Sequence, residues 1–323
     1  MRICVFGAGA VGGYLAGSMA DAGLDVSVVA RGAQLAAMRA GGITVELGER
    51  TLRAPVRASD NPADLGAQDA VIVTVKVPSL PSVAATIAPL LGPETPVCFI
   101  NNGVPWWYFQ GRGDARLPRL DPDDALRRAV GAARVVGGVF WPACAVPAPG
   151  VIRMVSGAGR GTVIGTPTGA ETPGIALLAD AFRRADLPVT VSDRLRDVIW
   201  EKLAFNLSAG PLCVLTTTPV KDTQTEAACV AASRNLMREA MALIRAMGSE
   251  VAMDMDRVVA VNRELGHRPS ILQDLLAGRK MEIDALYQVP LEMAREAGVA
   301  MPTLELLVGL IKVRARAAGL YDG

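Results

Sequence analysis

Apolar positions along the chain follow two regimes. Up to about residue 192, short apolar runs are separated by polar or glycine-bearing segments. Residues 3–6, 25–29, 70–76 (AVIVTVK) and 96–100 are compact apolar runs of the kind that form buried parallel strands. Residues 43–47 and 52–56 read as a hairpin around Gly48, and 134–141, 150–155, 161–165 and 188–191 as further strands. Residues 12–22 and 84–91 fit helices. Residues 112–128 are polar and proline-punctuated, which predicts an irregular loop with a short helix over 122–129. This alternation is that of an α/β sheet with some antiparallel additions.

After Ser192 the period changes to helical. Helices are expected over 193–207, 225–247, 254–265, 270–277, 279–297 and 302–318. Ser192 is placed to cap the first of these, with Asp193 in its first turn. Pro290 should bend or split the fifth. The change of period predicts two domains, an α/β domain over 1–192 and an all-α domain over 193–323.

The first strand runs into a glycine pattern. Residues 3–13 read ICVFGAGAVGG, so Gly7, Gly9 and Gly12 keep the spacing G-x-G-x-x-G between a strand and a helix. In that setting the first glycine permits a tight turn and the second lets a pyrophosphate approach the backbone. The third lets the helix pack closely on the sheet. The turn made by Gly7, Ala8, Gly9, Ala10, Val11 and Gly12 is therefore the candidate dinucleotide-binding element of a Rossmann-like, doubly wound domain. Strand two ends beside Arg31, where an NAD site usually presents an acid to the ribose 2′-hydroxyl. A guanidinium can pair with a 2′-phosphate, which points to NADP(H); the alternative is an ordinary solvated arginine.

Composition narrows the function classes. The chain has 323 residues, 51% hydrophobic and 20% charged, enough for more than one core. Its net charge of +1 leaves no electrostatic footprint for nucleic acid or an anionic membrane. No uninterrupted apolar stretch of about 20 residues suggests a membrane span, and the N-terminus does not read as a signal peptide. Five scattered cysteines without C-x-x-C spacing suit free thiols in a reducing cytoplasm. A single histidine, His267, argues against a histidine dyad or a multi-histidine metal site, so no metal is expected. A proton donor would then be Lys, Tyr or a carboxylic acid.

Several polar residues stand where chemistry could occur. Lys76 closes a strongly apolar run, and Asn101, Asn102 and Gly103 close the next. Both are strand exits, the edge where open α/β sheets bind ligands. In WEKLAFNLSAGP, Lys202 and Asn206 share a helix face within apolar surroundings. Lys202 is either a desolvated functional lysine or one snorkelling from a packed helix. Ser270 and Gln273 fit a capping box, a structural explanation for both. Glu282 and Asp284 fall in the next predicted helix, either as exposed acids or, for Glu282, as a partner of Lys202.

Together these segments resemble the ketopantoate reductase (2-dehydropantoate 2-reductase) family over nearly the whole chain. The likeness rests on GAGAVGG at 7–13, VTVKV at 73–77, NNGV at 101–104, WEKLAFN at 200–206 and PSILQDLLAGRKMEID at 269–284. It implies a Rossmann-like NADP domain followed by a helical domain, with reduction of a 2-oxo acid by NADPH. It also implies that Lys202 is the proton donor and Glu282 a second catalytic residue. Asn102, Asn206 and Ser270 become substrate contacts, and Lys76 and Asn102 join the glycine turn and Arg31 at the cofactor. The partner implied is a small-molecule 2-oxo acid, with a homodimer left open. Two departures bear on the substrate. Family members commonly have an asparagine four positions after Asn206, where this chain has Gly210. Trp106, Trp107, Tyr108 and Phe109 are consecutive in a chain only 4% aromatic. They are either a reshaped pocket favouring a bulkier 2-oxo acid, or packing against loops or a second subunit. A catalytically idle NADP-binding redox sensor is the rival outside the enzymes. Other β-hydroxyacid dehydrogenases and imine reductases are the rivals within them.

Overall fold

The computed structural model describes residues 1–156 and 158–323. The chain forms two compact units, Met1–Asn101 with Trp106–Leu195, and Asn102–Pro105 with Arg196–Gly323. In chain order the first unit contains β1 (Arg2–Phe6), α1 (Ala10–Asp21), β2 (Asp25–Val29), α2 (Gly32–Gly41), β3 (Ile43–Leu47), β4 (Arg50–Ala54) and β5 (Arg57–Ser59). It continues with β6 (Ala70–Val73), α3 (Leu80–Thr86), β7 (Val97–Ile100), α4 (Ala125–Val130), β8 (Val135–Phe140) and β9 (Ala143–Ala148). It closes with β10 (Val151–Ser156), β11 (Thr162–Gly165), α5 (Pro173–Arg184) and β12 (Val189–Val191).

Eight strands form the main sheet in the order β12-β11-β8-β7-β6-β1-β2-β5, and β4-β3-β10-β9 form a second sheet. The strands from β5 to β8 are mutually parallel; β11 runs antiparallel to β8. The central strands β1, β6 and β7 are buried throughout or nearly so, as continuous apolar runs require. β1 lies between β2 and β6, so the connections leave it in opposite directions. Open α/β sheets bind ligands at such a switch point. Phe6 pairs with both Val29 and Val73, and Val73 with Phe99, which brings four strand exits level.

Helix α1 is packed from two sides. Its Gly12 faces β1, while a Cβ at Gly13 would stand 2.6 Å from Ile152 of β10 and one at Gly17 2.5 Å from Val45 of β3. The second sheet can therefore sit directly on the helix. This sheet was only partly anticipated, because β9 has no apolar alternation to mark it. Helix α5 was not anticipated either, although its signals are present. The Thr172 hydroxyl caps it at the Ile175 N–H, Pro173 opens it, and Ile175, Leu178, Ala179 and Phe182 form its buried stripe. Strand β6 ends at Val73, three residues short of Lys76. The chain turns there because the Thr74 N–H donates to the Phe6 carbonyl at 3.0 Å and the Thr74 hydroxyl to the Gly7 carbonyl at 2.6 Å.

The second unit is helical among its described residues: α6 (Leu195–Thr216), α7 (Val220–Thr223), α8 (Ala227–Ala246), α9 (Met255–Glu264), α10 (Ser270–Leu276), α11 (Val289–Glu296) and α12 (Pro302–Ala317). α6 runs nine residues beyond the expected end, through Gly210 and Pro211. Leu212, Cys213 and Val214 are buried, and that packing outweighs the poor helix propensity of the Gly-Pro pair. α6 is the one helix among the described residues long and apolar enough to cross a membrane; 67% of its apolar window is buried inside the protein. The expected helix over 279–297 is split. A π-helical turn, Asp284–Gln288, precedes α11, whose second residue is Pro290. Proline offers no N–H and crowds the carbonyl four residues earlier, so the ladder is re-spaced just before it.

Candidate active site

The glycine turn of the first unit is built from three distinct steric demands. Gly7 has φ +108°, and a Cβ there would lie 2.6 Å from Val75 Cγ1 and 2.8 Å from the Val75 nitrogen. Its own N–H donates to the Val29 carbonyl at 3.0 Å, tying the turn to strand β2. A Cβ at Gly12 would stand 2.0 Å from the Gly7 carbonyl oxygen and 2.3 Å from Thr74 Oγ1. Gly9 is different: apart from its own chain neighbours, no atom of the described residues lies within 4 Å of its Cβ position. Protein packing accounts for Gly7 and Gly12, whereas the space beside Gly9 is left open. Gly9 is also the N-cap of α1, and no side chain caps that helix or places an acid in its first turn. Its first N–H groups are thus available to an anion. An open cradle and an uncapped helix start fit the pyrophosphate of a dinucleotide.

Arg31 follows strand β2 as the N-cap of α2 and is exposed. Among the described residues its guanidinium has no ion-pair or hydrogen-bond partner, so it is available to a ligand phosphate. Lys76 is half-buried and precedes a short 3₁₀ turn, with its carbonyl accepting from Ser79 N–H at 2.8 Å. The Asn101 side chain donates to the Val75 carbonyl at 2.6 Å and so braces the β6 and β7 exits against each other. Arg31, the glycine turn, Lys76 and Asn101 therefore share the carboxyl edge of four adjacent strands.

In the second unit, α6 carries Lys202 and Asn206, both half-buried, between fully buried Leu203, Ala204 and Leu207. Glu282 is buried, at 4% exposure. It does not lie within a helix as expected. It precedes one, and its carbonyl accepts from the Leu286 N–H at 3.2 Å as the π turn opens. The π turn also holds the Asn102 loop. Val104 N–H donates to the Ala285 carbonyl at 2.9 Å, and a Cβ at Gly103 would lie 2.3 Å from that same oxygen. Asn102 is thereby held in the same structural unit as Lys202, Asn206 and Glu282, which sequence spacing alone gives no reason to expect. Ser270 stands exposed in the first turn of α10, and the capping box does not form. Pro269 takes the N-cap position, and Gln273 instead donates to the Arg268 carbonyl at 2.8 Å. A proline N-cap has no side-chain oxygen to offer, so Ser270 moves inside the helix and loses its structural explanation.

The chain matches the family model described as ketopantoate reductase PanE/ApbA over residues 3–169, and its C-terminal counterpart over 194–315. The chain belongs to the ketopantoate reductase family. A 2-dehydropantoate 2-reductase of Mesorhizobium japonicum is 41% identical over the full length of both chains. A crystal structure of a candidate ketopantoate reductase from Ralstonia solanacearum MolK2 is 39% identical over 99% of both chains, with TM-score 0.92. A D-mandelate dehydrogenase crystallised with NADH and anilino(oxo)acetate shares the fold, with TM-score 0.82 and 18% identity over 99% of this chain and 100% of its own. As a member of the ketopantoate reductase family, the protein is an NAD(P)-dependent oxidoreductase acting on a small-molecule 2-oxo acid.

The aromatic run, open in the sequence to a reshaped pocket or to packing, is packed in the structure. Trp106, Trp107 and Tyr108 are buried in the first unit. Trp106 meets Phe99 of β7 edge-on, with centroids 5.4 Å apart. A Cβ at Gly137 of β8 would stand 2.2 Å from the Trp107 ring, so the indole lies directly on the strand backbone. Both indole N–H groups are buried and lack hydrogen-bond partners among the described residues. The five cysteines are free, and burial pushes the thiols of Cys4, Cys98, Cys144 and Cys213 up to about 12. Thiols held protonated are poor nucleophiles. Among the described residues no cluster of three His, Cys, Asp or Glu side chains could hold a metal ion.

Proposed function

We propose that the protein reduces ketopantoate to pantoate with NADPH. Two observations support this reading: an open backbone cradle at Gly9 on the strand edge where β2 runs into Arg31, and a second unit that contains Lys202, Asn206, Glu282 and the Asn102 loop. Gly7, Ala8, Gly9, Ala10, Val11 and Gly12 would hold the pyrophosphate and Arg31 the 2′-phosphate. Lys76 and Asn102 would complete the cofactor contacts. When bound, NADPH supplies the hydride that reduces the keto carbon.

The chain's own residues supply the rest. Lys202, as an ammonium, polarises the ketone oxygen and gives its proton to the developing alkoxide. Its half-buried position among apolar neighbours on α6 strengthens that electrostatic effect, because the surroundings are poorly screened. Glu282 orients the lysine or a water beside it. Asn206, Ser270 and Asn102 donate hydrogen bonds to the substrate, with Asn206 and Ser270 taking the carboxylate. The freed Ser270 hydroxyl supports its share of that task.

The test is NADPH oxidation by the purified protein against a panel of 2-oxo acids. Turnover with ketopantoate supports the reading. Tight NADPH binding with no turnover of any member would favour the redox-sensor alternative. A bulkier acid outperforming ketopantoate would revive the reshaped pocket, for which the buried tryptophans offer no support.

A further inference from the structure

Helix α12 carries two apolar stripes. Leu304, Val308, Ile311 and Ala315 are buried, and the helix packs against α8 and the π turn. On another face Leu306, Leu310 and Val313 stand 65%, 50% and 67% exposed. With the exposed Gly309 and Ala317 they keep the spacing i, i+3, i+4, i+7 and i+11, so they run along one side of the helix. The other large exposed apolar residues among those described, Val146, Val155, Val191, Val261 and Leu276, are scattered over five other elements. Single exposed apolar residues are ordinary on a protein surface, whereas a continuous stripe marks a contact.

Gly309 interrupts the stripe at its centre. Glycine is a poor helix former, and nothing within the described chain requires one here. Its φ is not positive, and apart from its chain neighbours and its own helix no described atom lies within 4 Å of its Cβ position. A notch at this point lets a second backbone come close.

The charges beside the stripe select the occupant. Glu305 and Arg316 are both exposed and lie toward opposite ends of α12. Eleven residues are close to three full turns, so the two share one flank, yet about 16 Å of helix keeps them from meeting each other. A parallel second copy would set like charge against like. A copy turned about a two-fold axis between Gly309 and Leu310, the midpoint of the helix, sets Leu306 level with the second copy's Val313. Glu305 then comes within about 3 Å, measured along the axis, of the level of the second copy's Arg316. Glu305 meets Arg295 at 2.6 Å and Arg316 meets the Gly323 carbonyl at 3.1 Å. A carboxylate and a guanidinium each make several hydrogen bonds, so both keep capacity for a further partner. Antiparallel packing also opposes the two helix dipoles.

We propose that the outward stripe of α12 is the interface of a homodimer in which the helix packs antiparallel on its own copy, with the two-fold axis at Gly309 and Leu310. The proposal does not depend on the reductase reading.

The experiment is sedimentation equilibrium on the unmodified protein and its variants, with circular dichroism to confirm folding. The unmodified protein should be a dimer at micromolar concentration. Leu310→Glu should weaken the dimer about 100-fold, because it places a charge at the axis against its own copy. Glu305→Arg and Arg316→Glu should each weaken it about tenfold, since the two-fold repeats each change, and the double variant should recover the parent affinity. A monomeric unmodified protein overturns the proposal and leaves the stripe to a different partner. A dimer indifferent to Leu310→Glu overturns it too, because the contact then lies elsewhere. A double variant no better than either single one overturns the antiparallel pairing. If Leu310→Glu does not fold, the charge-exchange series decides alone.

Discussion

In the first unit, three glycines within six residues shape a binding surface by leaving side chains out. Gly7 and Gly12 are required by neighbouring protein atoms at 2.6 Å and 2.0 Å, and Gly9 opens onto empty space. In the second unit the proposed site would draw on side chains from separate segments. Lys202 and Asn206 lie on α6, Glu282 precedes the π turn, and Asn102 lies on a loop from a hundred residues earlier. The backbone cradle is local and depends on a few φ/ψ values. The proposed site of the second unit is non-local and would depend on helix packing, so the two should fail differently when altered.

The largest contrast should appear at Lys202. Lys202→Ala should lower kcat by about 10²–10⁴-fold, the usual worth of a positioned general acid. NADPH binding should change little, because the cradle lies in the first unit. Stopped-flow turnover and fluorescence titration separate the two effects. Near-normal turnover would remove Lys202 from the chemistry.

The aromatic run comes next. Trp107→Ala should cost about 3–5 kcal/mol of stability, as large-to-small changes in packed cores do. Denaturant titration reads this directly, and the ranking of 2-oxo acids should stay as it was. A changed ranking with unchanged stability would return Trp107 to the substrate pocket.

Within the cradle, the glycines can be played against each other. Gly12→Ala should destabilise the fold by about 1–3 kcal/mol, since its Cβ meets the Gly7 carbonyl and Thr74. Gly9→Ala should leave stability nearly untouched and weaken dinucleotide binding. Thermal melts with and without NADPH tell them apart. If both variants only destabilise, the open space at Gly9 has no ligand role.

A finer effect lies at Arg31. Arg31→Ala should weaken NADPH binding by about 10- to 100-fold and leave NADH binding unchanged, because a charge-assisted contact to one phosphate contributes roughly 1.5–3 kcal/mol. Equal affinity of the unmodified protein for both dinucleotides would contradict that role.

How much was legible in the sequence follows the same division. The glycine turn and strands β1, β2, β6 and β7 carry their information in consecutive residues: apolar runs closed by glycine, lysine or asparagine. Helices with a clear apolar stripe, such as α8 and α12, were likewise readable. What was missed depends on partners far away. The end of α6 was hidden by Gly210 and Pro211, whose low propensity is overridden by burial of residues 212–214. Glu282 was placed on a helix because the pattern could not foresee the re-spacing ahead of Pro290. Ser270 and Gln273 matched a capping box that Pro269 forestalls. The tryptophans could be read either as a reshaped pocket or as packing, and only Gly137 beneath Trp107 shows the packing.

The account's central claim is tested most directly by following the hydride itself. NADPH deuterated at the transferable C4 position should convert ketopantoate to pantoate labelled at C2, detected by mass spectrometry, and Lys202→Ala should slow the appearance of that label by the same 10²–10⁴-fold or so. Failure to form labelled pantoate, under conditions where the protein demonstrably binds NADPH, would contradict it.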